Sequence, residues 1–262
     1  MSDSQCCENP PNLTSICGGG SVIEVGGLKA YVAGPSDSKH AILLVSDIFG
    51  YEAPKFRKLA DKVAAAGFYV VVPDFFYGDP FVFDVPEKPI EVWRESHGTD
   101  KGFEDAKPVI AALKSKGIST IGAAGFCWGA KVVVELAKSD YIQSAVLLHP
   151  SRVTVDDIKE VKAPIAVLGA EIDKASPPEL LKQFEEVLLT KPEVNSYVKI
   201  FPGVVHGWSV RYKDENEIEV KSAEEAHQNM VDWFTRFLAW LEVGACSSRK
   251  ENSSSTRSST RI

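Results

Sequence analysis

Between a short apolar run and a helical apolar stripe, this chain carries Gly125-Phe126-Cys127-Trp128-Gly129, a Gly-x-Cys-x-Gly pentapeptide. That spacing constrains the local fold. A strand can reverse sharply into a helix with the central side chain raised at the turn only if no bulk at 125 or 129 crowds either element. The flanks agree. Residues 118–124, Ile-Ser-Thr-Ile-Gly-Ala-Ala, read as a strand, and Ala130, Val133, Val134 and Ala137 share one helical face. The thiol then lies at a helix N-terminus, where main-chain N–H groups and the helix dipole lower a thiol's pKa and can receive an oxyanion. Cys127 is therefore the candidate nucleophile.

Around the elbow, strand and helix signals alternate. Apolar runs at 41–46, 69–72, 118–124, 145–148, 165–168 and 197–201 predict buried strands of a mostly parallel sheet. Longer-period stripes predict the intervening helices: Phe56, Leu59, Ala60 and Val63, ending at Gly67; Leu180, Leu181, Phe184, Val187 and Leu188; and Ala226, Met230, Trp233, Phe234, Phe237 and Leu241. The alternation predicts an α/β fold, one doubly wound layer structure with helices on both faces and sites at the carboxyl ends of the strands. Residues 22–244 form the expected domain. Residues 1–21, rich in Pro, Gly, Asn and Ser, read as an extended lead-in, and 245–262 as a disordered Ser-rich basic tail that cannot bury a core.

A cysteine nucleophile needs a base and a group to orient it. Residues 168–173, Leu-Gly-Ala-Glu-Ile-Asp, follow one strand, and 201–208, Phe-Pro-Gly-Val-Val-His-Gly-Trp, follow the next. His206 is the candidate base. Asp173 is favoured over Glu171 as its acid, because Asp173 opens the loop into the Leu180 helix and can reach toward the histidine. The order nucleophile, acid, base is that of the α/β-hydrolase fold. An oxyanion site needs two main-chain donors, and the N–H of Trp128, next after the nucleophile, and of Ile48, in the loop after an early strand, are the candidates. His149 also follows a strand and is a candidate substrate contact. Phe49, Tyr51, Phe75, Phe76, Tyr77, Trp128 and Trp208 fall on loops at the same edge and predict an aromatic-lined pocket. No role is assigned to Arg94, and His40, His97 and His227 lack such placement.

The segments Asp47-Ile48-Phe49-Gly50, Gly125-Phe126-Cys127-Trp128-Gly129, Glu171-Ile172-Asp173 and His206-Gly207-Trp208 together resemble the dienelactone hydrolase, or carboxymethylenebutenolidase, family and its plant relatives, from about Val22 to Leu241. The resemblance implies a single-domain α/β-hydrolase fold that cleaves small esters or lactones with Cys127 as nucleophile, His206 as base and Asp173 as orienting acid. It further implies that Arg211, five residues past His206, holds a substrate carboxylate. In the bacterial enzyme a glutamate before Ile-Phe-Gly helps control the thiol's protonation, and here the matching residue is Asp47.

Two other readings stay open. Some plant relatives carry a β-glucanase label, which would need paired carboxylates from Asp47 and Asp173 or Glu171. Alternatively, the scaffold binds a small ligand without turnover. The formal charge of −7 points away from a nucleic-acid surface. No stretch approaches the roughly 18 apolar residues of a membrane span. Five scattered cysteines, Cys6, Cys7, Cys17, Cys127 and Cys246, match neither a disulfide framework nor a zinc motif. A cytoplasmic enzyme with a small-molecule substrate, no cofactor and no metal is expected; oligomeric state is not encoded legibly.

Overall fold

The computed structural model describes residues 10–11, 19–83, 85 and 88–239. Eight strands form one sheet: β1 (Ser21–Val25), β2 (Leu28–Ala33), β3 (His40–Val45), β4 (Tyr69–Pro73), β5 (Thr120–Phe126), β6 (Ser144–Leu148), β7 (Ile165–Ile172) and β8 (Ser196–Val205). Their order is β1-β2-β4-β3-β5-β6-β7-β8, with β1 and β2 antiparallel at one edge and β4 through β8 parallel. This is the predicted mostly parallel α/β sheet, extended by an antiparallel edge. Because side chains alternate along a strand, β3 sends Ala41, Leu43 and Val45 into one apolar layer and Ile42 and Leu44 into the other. Both faces are covered, so the apolar runs are nearly continuous.

On one face lie α1 (Pro54–Ala64), α7 (Trp208–Arg211) and α8 (Glu217–Phe234), which continues into a π-helical turn at Thr235–Ala239. Against the other pack α2 (Ile90–Ser96), α3 (Thr99–Ser115), α4 (Trp128–Ala137), α5 (Val155–Glu160) and α6 (Pro178–Leu189). The predicted stripes face inward: Phe56, Leu59, Ala60 and Val63 are buried on α1, Leu181, Phe184 and Leu188 on α6, and Ala226, Met230, Trp233 and Phe234 on α8. Leu241 of the last stripe lies outside the described residues. α4 is buried almost all round, leaving only Lys131 and Glu135 partly exposed.

The parallel strands end at one edge, where the turns after β3, β5, β6, β7 and β8 carry Asp47, Cys127, His149, Asp173 and His206. The site candidates are thus gathered by topology. Cys127 is buried and in no disulfide among the described residues; Cys6, Cys7, Cys17 and Cys246 lie outside the described residues, as do most of the lead-in and the whole 245–262 tail. Ser21, placed in the lead-in by sequence, opens β1. Among the described residues no helix is long and apolar enough to cross a membrane.

Candidate active site

β5 runs two residues further than its sequence suggests, through Phe126, and hands directly to α4. Cys127 at the junction has φ 51° and ψ −108°, a non-glycine conformation that costs about 1–3 kcal/mol and persists only where its surroundings enforce it. They do so by close packing. A Cβ at Gly129 would stand 2.2 Å from the Val45 carbonyl oxygen, and one at Gly125 2.3 Å from that of Gly129. The main chain of the cysteine is also stapled to the exit of β6: Cys127 N–H donates to Leu148 O (3.1 Å), and Ser151 N–H donates to Cys127 O (3.1 Å). A strand-to-helix elbow follows, with the thiol side chain at the N-terminus of a buried helix.

Asp173 closes β7 and is held by its own turn. Its Oδ1 accepts from Ala175 N–H (2.8 Å) and Ser176 N–H (3.2 Å), and its Oδ2 from Ser176 Oγ (3.2 Å). The same Oδ2 lies 2.8 Å from His206 Nδ1, and neither side chain is exposed. A carboxylate only accepts, so this contact puts the imidazole proton on Nδ1 and the lone pair on Nε2. Glu171 is still in the strand, exposed, with Oε2 accepting from Gly203 N–H (2.7 Å). Of the two acids, Asp173 is the one bonded to the histidine.

After β3, Asp47 forms the opposite wall. Its Oδ1 accepts from Phe49 N–H (3.0 Å) and its carbonyl from Gly50 N–H (3.1 Å), so the turn's next two donors are committed and Ile48 N–H precedes them. The Ile48 carbonyl accepts from Phe81 N–H (2.8 Å), which fixes the loop from the other side. Trp128 is the first residue of α4, a position whose N–H has no acceptor within a helix. Its indole N–H donates to His97 O (2.9 Å), and its ring packs on Phe75 and Phe76.

Arg211 ends α7 with its side chain 2% exposed, its Nε 3.3 Å from Asp47 Oδ2 and its guanidinium over the Phe49 ring. It also borders a 490 Å³ surface recess with Pro54, Lys55, Lys58 and Tyr212. Asp47 and Arg211, proposed for separate tasks, thus form one buried ion pair. His149 has no exposed surface, and its Nε2 lies 2.9 Å from Ser209 Oγ. Burial first, and then the nearby His206 and Arg211, hold its pKa well below the ordinary histidine range. The aromatics expected to line a pocket mostly pack beneath it: Phe49, Phe75, Phe76, Trp128 and Trp208 are buried, while Tyr77 is 57% exposed under Lys101. Ser176 and Ser209, which bond the two site carboxylate and histidine partners, carried no sequence signal beyond nearness to Asp173 and His206. Among the described residues no group of three or more His, Cys, Asp or Glu is gathered for a metal.

The profile of the dienelactone hydrolase family matches residues 28–238. A Zea mays endo-1,3;1,4-β-D-glucanase is 46% identical over 197 residues, 73% of this chain, and the match spans only 64% of that protein's length. A Xenopus tropicalis carboxymethylenebutenolidase homolog is 30% identical over 84% of this chain and 91% of its own. The crystal structure of dienelactone hydrolase from Anabaena variabilis superposes with a TM-score of 0.61 over 84% of this chain and 97% of that one, at 15% identity. That likeness is one of fold.

Proposed function

The chain belongs to the dienelactone hydrolase family, and from that premise we propose that it hydrolyses small esters or lactones through a Cys127–His206–Asp173 triad and an acyl-enzyme. The observation that carries the reading is the 2.8 Å bond between His206 Nδ1 and Asp173 Oδ2, both buried at the edge where Cys127 caps α4. With its proton fixed on Nδ1, His206 uses Nε2 to take the thiol proton as Cys127 Sγ attacks the substrate carbonyl. The oxyanion is received by the N–H groups of Ile48 and Trp128; such a donor is worth about 2.7–4 kcal/mol in the transition state. Collapse breaks the ester C–O bond, and His206 returns the proton to the departing alkoxide. In a lactone that alkoxide stays tethered to the acyl group. Water, deprotonated by His206, then attacks the thioester; the C–S bond breaks, and acid and thiol are restored. Arg211 holds a substrate carboxylate, and Asp47 tunes the thiol through the same ion pair. His149, expected as a substrate contact, sits at this edge with no exposed surface.

A second reading, β-glucan hydrolysis, is favoured by the identity with the maize protein. It would require two carboxylates facing a sugar across about 5–9.5 Å, whereas Asp47 is engaged with Arg211 and Asp173 with His206. One assay separates the two. The purified protein and its Cys127→Ala variant are offered a chromogenic ester, a dienelactone and a mixed-linkage glucan. Ester or lactone turnover that disappears with the thiol is the expected result, and turnover retained above a few per cent would overturn the triad. Glucan cleavage indifferent to the mutation would transfer the function to the carboxylates.

A further inference from the structure

The turn that follows β6 touches both halves of the proposed catalytic pair. On one side, Leu148 O and Ser151 N–H hold the two main-chain groups of Cys127 at 3.1 Å each. On the other, His149, which follows Leu148, lays its ring against His206, centroids 5.1 Å apart at 70°, and against Trp208, 5.4 Å apart at 70°. The His149 backbone has φ 35°, a conformation L side chains rarely adopt, and it is this twist that accompanies the ring's placement under the base. The far nitrogen is anchored as well. Nε2 meets Ser209 Oγ at 2.9 Å, and the Ser209 carbonyl accepts from His227 Nε2 at 2.7 Å, so the anchor belongs to α7, directly after His206, and is itself tied to α8. Both His149 and Ser209 are wholly buried. With Nδ1 buried and without a partner among the described residues, the Ser209 bond and the ring packing are what hold this strained side chain in place.

We infer that His149 is a positioning residue that, anchored by Ser209, sets the plane of the His206 ring and couples it to the elbow carrying Cys127. Asp173 fixes His206 at Nδ1 but leaves rotation about that bond; the His149 ring closes this remaining freedom. The role differs from a substrate contact, and it rests on the Cys127–His206 reading above. Burial first, and then the nearby His206 and Arg211, keep His149 uncharged, so its ring packs on His206 without competing for the proton.

The test compares His149→Phe, which keeps a flat ring, His149→Gln, whose amide nitrogen can replace Nε2 toward Ser209, and Ser209→Ala, each with Cys127→Ala alongside. Steady-state hydrolysis of a chromogenic acetate ester and the rate of Cys127 alkylation by iodoacetamide are measured. For His149→Phe, which keeps the ring without its anchor, His149→Gln, which keeps the anchor without the ring, and Ser209→Ala, kcat and the alkylation rate are expected to fall about 10-fold with KM within about 2-fold, since small misplacements of reacting groups are costly. Full kcat in Ser209→Ala or in His149→Gln, or a loss confined to KM, would overturn the inference. Should His149→Phe not fold, Ser209→Ala, which removes one oxygen, decides. Turnover surviving in Cys127→Ala would instead refute the proposed function, and the alkylation arm would still read how the thiol and His206 are held.

Discussion

At the scale of single residues the site is built from groups that are costly to bury alone. Asp47 and Arg211 are 5% and 2% exposed at the side chain and meet at 3.3 Å. Taking two charges from water offsets most of what their attraction gives, but removing one partner strands the other and typically costs about 3–5 kcal/mol. Asp47→Asn or Arg211→Met alone should therefore lower the unfolding free energy by about 3 kcal/mol, while the double variant recovers much of that loss. Urea unfolding of the three variants checks this; losses that simply add would mean that the two side chains do not stabilise one another. The same proteins test the chemistry. If Arg211 holds a substrate carboxylate, Arg211→Met weakens anionic esters more than neutral ones. If Asp47 acts on the sulfur, Asp47→Asn shifts the pH dependence of Cys127 alkylation.

Among the elements, α4 has the most exacting placement, since its N-terminus carries Cys127 and the Trp128 N–H, the proposed nucleophile and oxyanion donor. Its polar side is held by α5. Asp157 Oδ1 accepts from Lys131 (2.7 Å) and Lys138 (2.8 Å) of the α4 region, while its Oδ2 completes a capping box with Thr154. Burial would raise the Asp157 pKa, but the two lysines and Thr154 outweigh it and leave the carboxyl far below its usual range. Asp157→Ala removes the return half of the capping box and the carboxylate both lysines share, leaving them Glu135 (2.7 and 2.9 Å), and urea unfolding should show a loss of about 2 kcal/mol; a loss below about 1 kcal/mol would mean that Glu135 suffices for both lysines. The elements most legible in the sequence were those whose two faces are both buried. β3 to β6 read as unbroken apolar runs, and the elbow announced itself through Gly125 and Gly129. β1 and β2 did not, because β1 buries only Val25 and β2 is interrupted by Lys29. α3 was hidden by Gly102 and Pro108, which read as breakers; Gly102 is there because a Cβ would lie 2.4 Å from the Trp128 ring. The choice between Asp173 and Glu171 turned on where β7 stops, and Gly169-Ala170 end the apolar run before the strand itself ends. Ser209 was illegible, since a serine in a four-residue helix has no periodicity to betray it.

Across the whole molecule, the layer that holds α1, α7 and α8 also encloses two histidines, and that gives the fold a pH dependence separate from catalysis. Burial lowers the pKa of His227 to about 4, and that of His149 is held well below its ordinary value by burial and then by the nearby His206 and Arg211. The unfolded chain protonates each near pH 6.5. Below that pH the unfolded state binds protons that the folded state refuses, so stability falls as the pH drops. It is fully present above about 6.5, and for His227 the loss runs down to the folded value of about 4. Each such group contributes a slope of up to about 1.4 kcal/mol per pH unit in that window. Asp157 acts in the same direction at lower pH, its stabilisation being present above the unfolded carboxyl pKa and lost on acidification beneath it. His227→Gln preserves a donor toward the Ser209 carbonyl, where His227 Nε2 now sits at 2.7 Å, but removes the titration. Unfolding free energies measured by urea at pH 7, 6 and 5 should decline less steeply in this variant, by about one proton's slope. An identical decline in parent and variant would mean that His227 takes up its proton without unfolding, and that the α8 side of the layer opens locally to let it do so.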